Sequence, residues 1–261
     1  MREYLLRYVP FCYTFNTRIR NKDTLLGLLA TEHFTILYLV YLTVFGVSLS
    51  IEDVAQVVAS VGLAYLLFYS IYEIGYFIND TFTIHFEGKP TIRTSNHGRG
   101  AVFVSTRALW SFLSLGVLVV AFQIPLARLL LLSITLVGIM LLHDLVTFRN
   151  LESRFYTFMS LRVLRYTFVS FIIVPEASGL ALLVMLPALA HSLLNYASSK
   201  MGRELPLTPS SLALRYALLL PLQLILLRGT HLMILAPSVA LVCAFTLLHL
   251  RKPHQTMRSV P

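Results

Sequence analysis

The densest run of groups able to do chemistry in this 261-residue chain lies between Glu73 and Arg93. If one helix runs through it, Glu73, Asp80 and Glu87 recur every seven residues, and Asn79, Thr83 and Glu87 every four, so that the set shares a face. Carboxylates with amide and hydroxyl oxygens between them form an oxygen-only site. That donor set suits Mg²⁺, which takes one or two carboxylates together with waters and substrate phosphates. Asp80, Glu87 and Asn79 are therefore the expected metal-binding and catalytic residues, with Glu73 and Thr83 beside them. Lys89 and Arg93 follow at once and offer hydrogen-bond donors to the same phosphates. The competing reading is an ordinary polar helix end closed by Gly88 and Pro90.

Other groups stand out because each charge within a membrane helix costs roughly 2.5–3.5 kcal/mol on insertion scales. They are Glu32, His33, Arg107, Asp144, Arg162, Arg165, His191 and Asn195. His143 and Asp144, with Arg149 and Arg154 beyond them, are expected to complete a cytosolic cavity. The eight histidines include no pair at zinc-ligand spacing, so zinc chemistry is not expected. Cys12 and Cys243 stand at opposite ends of the chain with no metal-type spacing and read as small hydrophobes. Neither a phosphate-binding Gly-rich loop nor a Gly-x-Ser-x-Gly elbow is present.

The elements that must position these residues are membrane helices. Apolar residues make up 57% of the chain and charged ones 13%, with a mean hydropathy of +0.75. That excludes a water-soluble globule and predicts an all-α polytopic bundle of eight spans, or nine. The apolar windows fall near 24–49, 53–78, 101–122, 126–145, 157–175, 178–197, 210–228 and 230–248. They make one transmembrane domain over 24–248, between an N-terminal segment (1–23) and a C-terminal tail (249–261). The N-terminal segment lacks the unbroken apolar core of a signal peptide. Its aromatics among arginines, from Tyr4 to Phe11, predict a short helix lying at the membrane interface.

The net charge of +9 does not indicate a nucleic-acid partner here, because the charges fall in connecting loops. With the N-terminus cytosolic, fifteen basic residues lie on the inside and only Arg128 and Arg228 on the outside. This asymmetry predicts a protein of the cytoplasmic membrane with both termini, and the site, facing the cytosol among membrane lipids.

The order Asn79-Asp80-x-x-Thr83-x-x-x-Glu87, at the end of the second span and before a basic, Pro-containing loop, resembles the first aspartate-rich motif of the UbiA superfamily of intramembrane prenyltransferases. That family's pattern is Asn-Asp-x-x-Asp-x-x-x-Asp; Asn79 and Asp80 match, Glu87 is conservative and Thr83 departs. The family's second acidic motif follows its sixth span, where this chain has Asn195 and Ser199 in place of aspartates. The resemblance implies a UbiA-like bundle that binds a polyprenyl lipid and a diphosphate-bearing donor with Mg²⁺. More loosely, Asn195-Tyr196-Ala197, Lys200, Arg203 and the stretch from Leu161 to Arg165 look like the polyprenyl-phosphate phosphoribosyltransferase branch. By that resemblance Asp80 and Glu87 would hold Mg²⁺ on the diphosphate leaving group. Arg162 and Arg165, three apart on one face, would clamp the lipid phosphate, or else are span-end charges reaching for water. Two alternatives stand beside phosphoribosyl transfer: prenyl transfer to an aromatic or other small acceptor, and a non-catalytic membrane protein or transporter that retains the bundle.

Overall fold

The computed structural model describes residues 8–18, 33–45, 50–83, 100–147 and 150–201. Among these the chain is helical, with no strand. The elements are α1 (Cys12–Arg18), α2 (Thr35–Phe45), α3 (Ile51–Thr81), α4 (Gly100–Phe122), α5 (Leu126–Leu141) running into a π-helical turn (Leu142–Val146), α6 (Leu151–Ile173) and α7 (Ala177–Met201). The backbone divides into two units, Met1–Leu182 and Leu183–Pro261, so the boundary falls within α7.

Local chemistry sets the ends. Ser50 caps α3 by accepting from the Asp53 N–H at 3.0 Å, and the Asn150 side chain caps α6 by accepting from Glu152 and Ser153. The helix over the expected 157–175 window therefore begins earlier, at Leu151, where a charged first turn that reads as loop is helix under its Asn cap; with Arg162 and Arg165 inside it, Leu151–Ile173 is not among the helices apolar enough to cross a membrane. Between α4 and α5 the chain reverses in three residues, with Gln123 in the left-handed region (φ 53°). At that end Arg128 donates to the Ile172 carbonyl at 2.9 Å and ties α5 to the close of α6.

Among the described residues four helices are long and apolar enough to cross a membrane: Ile51–Thr81, Gly100–Phe122, Leu126–Val146 and Ser178–Ser198. Thr35–Val44 is a shorter apolar helix. The expected spans 210–228 and 230–248 lie outside the described residues. The burial pattern agrees with a lipid surround. On α4 the residues facing outward include Leu109, Phe112 and Val120, while Arg107 and Ser114 are buried. A helix in water would show the reverse.

In the first unit α3 is the central element, packed against α2, α4, α5 and α6. Its 31 residues span about 46 Å at 1.5 Å per residue, against a hydrocarbon core of about 30 Å. One end of α3 must therefore tilt or emerge from the apolar layer. The polar residues from Glu73 to Thr83 occupy that last stretch.

Candidate functional site

The end of α3 carries two adjoining polar centres. Successive residues on a helix are about 100° apart, so Asp80 and Asn79 face different neighbours. Glu73 and Asp80, seven apart, both meet the N-terminal segment. Glu73 Oε2 accepts from Arg107 Nε at 2.7 Å, and both side chains are fully buried. Glu73 Oε1 accepts from the Thr14 backbone N–H at 2.8 Å, and Asp80 Oδ2 accepts from the Tyr13 hydroxyl at 2.9 Å.

Asn79 and Thr83 look instead toward α6 and the π-helical turn. Asn79 Oδ1 accepts from Arg154 at 2.6 Å, and the Thr83 hydroxyl donates to the Asp144 carbonyl at 3.1 Å. Glu73 with Asp80 and Asn79 with Thr83 thus meet different neighbours, while Asn79 Nδ2 donates to Asp80 Oδ1 at 3.5 Å where the two groups adjoin. The repeats of seven and four each keep their own members together, but they point some 100° apart.

Glu73, expected to line the substrate, has both oxygens engaged and serves as an anchor. Arg107 continues from it to the chain before α1, where its NH2 group donates to the Val9 carbonyl at 3.0 Å. Its guanidinium also lies 4.4 Å over the Phe103 ring. One turn along α4, Trp110 Nε1 donates to the Tyr8 carbonyl at 2.8 Å. The segment expected to lie at the interface is therefore fastened, over residues 8–18, onto α3 and α4. Pro10 and Phe11 break its backbone, with Phe11 at φ 71°, and α1 begins at Cys12. Burial, and then the charge of Glu73, raise the Cys12 thiol above its ordinary pKa.

The second centre depends on a close approach. A side-chain carbon on Gly75 would collide with the end of Met140 and come within 3.3 Å of Asp144 Oδ2. Glycine at this position lets α5 and its π-helical turn bring the buried Asp144 against α3. Next to it, His143 Nδ1 is 2.8 Å from the Thr157 hydroxyl.

Arg162 and Arg165 of α6 both fall within electrostatic reach of Tyr72 on α3. Arg165 is buried, its guanidinium 5.8 Å from the Tyr69 ring centre. Arg162 is set differently from Arg107. Its guanidinium stacks on Phe158 at 5.0 Å, its Nε is buried without a hydrogen-bond partner, and among the described residues it makes no ion pair.

Asn195, Tyr196 and Lys200 stand on α7 in the second unit and are placed on that helix alone. Glu87, Lys89, Arg93 and Arg203 lie outside the described residues. The donor chemistry at the end of α3 fits a hard divalent ion. Asp80 supplies a carboxylate, and Asn79 an amide oxygen with one of its two lone pairs engaged by Arg154. Among the described residues no group of three His, Cys, Asp or Glu is close enough to hold a metal.

Tyr13 and Trp110 are site residues that pattern alone did not single out, whereas Arg154 was expected in the cavity and is found on Asn79. Only the Arg107–Glu73 pairing had a signal, since two opposite charges in adjacent spans call for each other. Comparison of the chain with known protein families, with characterised proteins and with solved structures gave no match.

Proposed function

We propose that this chain is a Mg²⁺-dependent membrane transferase that acts on a polyprenyl phosphate and joins it to phosphoribose from phosphoribosyl pyrophosphate. The observation that carries the reading is Arg162: a guanidinium in a helix of the bundle, with a buried Nε–H lacking an acceptor and, among the described residues, no ion pair. A buried, unmet charged donor costs more than an ordinary unmade hydrogen bond. An anionic group between the helices removes that cost. A lipid phosphate is an anion that reaches such a place with its chain in the apolar layer.

In this reading Arg162 and Arg165 hold the lipid phosphate, with the planar fork of a guanidinium matching its oxygens. A phosphate oxygen attacks the anomeric carbon of the donor as the bond from that carbon to the diphosphate oxygen breaks. The leaving diphosphate takes the electron pair. By the sequence expectation Asp80, Glu87 and Asn79 would hold Mg²⁺, which would neutralise charge on the leaving diphosphate. Arg154, fixed at Asn79, places a cation beside the same group. Two anionic substrates in one low-dielectric site repel each other, and fixed cations offset that repulsion.

Purified protein incubated with radiolabelled phosphoribosyl pyrophosphate, polyprenyl phosphate and Mg²⁺ is expected to yield a labelled lipid, and Asp80→Asn to lose it. No product over a range of lipid lengths, with transfer from a prenyl diphosphate to a small acceptor instead, would replace this reaction by prenylation. Inactivity of the folded protein in both assays would leave a non-catalytic lipid-binding role.

A further inference from the structure

A phosphate held only by Arg162 and Arg165 would be met from one side, that of α6. We propose that Tyr72 and Tyr76 of α3 are the opposite wall of this site, where their hydroxyl pair supplies a donor to the phosphate oxygens that the guanidiniums leave unmet. The inference rests on the lipid-phosphate reading of Arg162.

Three observations carry it. The first is the register of the two helices. α3 and α6 run antiparallel: Asn79 meets Arg154 near one end, and further back along α3 Tyr69 meets Arg165 and Phe68 meets Phe168. Tyr72 comes three residues after Tyr69, and Arg162 three before Arg165, so the two fall opposite each other. By the same count Tyr76 falls opposite Phe158, the ring on which Arg162 stacks. Both tyrosines lie within electrostatic reach of Arg162. The second is that the rings are already held. Tyr72 is buried, stacked on Phe68 at 5.0 Å and edge-on to Tyr76 at 4.7 Å, so little order is left to be lost when a ligand enters. The third is the hydroxyl pair. Tyr72 and Tyr76 share a side-chain hydrogen bond, and two hydroxyls joined by one bond keep one proton for an outside acceptor. A phosphate presents more oxygens than one guanidinium fork covers, and each oxygen left unmet in an apolar surround carries a desolvation cost. A donor on the facing helix removes part of that cost.

The test uses the full-length protein in lipid nanodiscs, with binding followed by calorimetry. The probe is a short polyprenyl phosphate; the matching polyprenol is its uncharged control, and inorganic phosphate its lipid-free one. Tyr72→Phe with Tyr76→Phe keeps both rings and removes both hydroxyls. The double variant is expected to bind the polyprenyl phosphate about 10–100-fold more weakly, as for a lost hydrogen bond to a charged group, and the polyprenol unchanged. Tyr65→Phe, two turns back on α3, is expected to alter neither. Wild-type affinity in the double variant, where Arg162→Met has lost binding, would overturn the tyrosine wall and leave the arginine site standing. Wild-type affinity in Arg162→Met, or no binding by the wild type, would instead overturn the phosphate reading and the inference with it. Equal losses for the phosphate and the alcohol, with or without a fall in unfolding temperature, would make the tyrosines packing alone and also overturn the proposal. Inorganic phosphate bound as tightly as the lipid would overturn the lipid as the occupant.

Discussion

Glu73 with Arg107, and Arg162, are charges set into helices of the same bundle under opposite arrangements. In the first case both charges are fully buried, 2.7 Å apart, and further hydrogen bonds engage the second Glu73 oxygen and another guanidinium nitrogen. In the second, the guanidinium rests on the Phe158 ring, its Nε–H meets no acceptor, and no acid stands by it among the described residues. A satisfied pair explains its own presence: it fastens the N-terminal segment to α3 and α4. An unsatisfied charge does not, because replacing it by a hydrocarbon side chain would relieve the fold. The first is architecture, and the second is the contrast on which the proposed phosphate-binding role rests.

Substitutions at the two places are expected to separate stability from binding. Arg107→Ala leaves Glu73 buried without its cation and should cost about 3–5 kcal/mol, read as a large fall in the unfolding temperature of the purified protein. Replacing both members, Glu73→Leu with Arg107→Leu, removes the stranded charge and is expected to recover most of that loss. If the double variant were as unstable as the single one, the pair would matter for its bonds to the segment more than for its charge. Trp110→Phe keeps the aromatic packing and deletes the bond to the Tyr8 carbonyl. About 1 kcal/mol is the expected cost, and a loss several times larger would mean that this one bond controls docking of the whole segment.

Much of the helical layout was legible in the sequence, because apolar windows report membrane helices directly. The windows 101–122 and 126–145 lie within a residue of the helical stretches Gly100–Phe122 and Leu126–Val146, since Gln123 and Pro125 mark the break between them. The start of α6 was not legible: Glu152 and Arg154 read as loop, yet Arg154 sits buried against Asn79. At the site, the periodicity of seven placed Glu73 with Asp80 correctly. It could not show what they face, because their partners include the backbone of Thr14 and a tyrosine far back in the chain. Backbone carbonyls at Tyr8 and Val9 leave no trace in residue type, so the docking of the N-terminal segment has no sequence signature. The cost of an intramembrane charge did point to Arg107 and Arg162 alike, but only the structure separates the paired one from the unpaired one.

The central claim is that Arg162 is kept for a lipid phosphate, and native mass spectrometry of the protein released from detergent tests it most directly. Wild-type protein is expected to carry a polyprenyl phosphate. Arg162→Met, expected to be at least as stable, should carry none or far less. Equal retention of the same lipid by both proteins, or ordinary phospholipid alone on the wild type, would contradict the account.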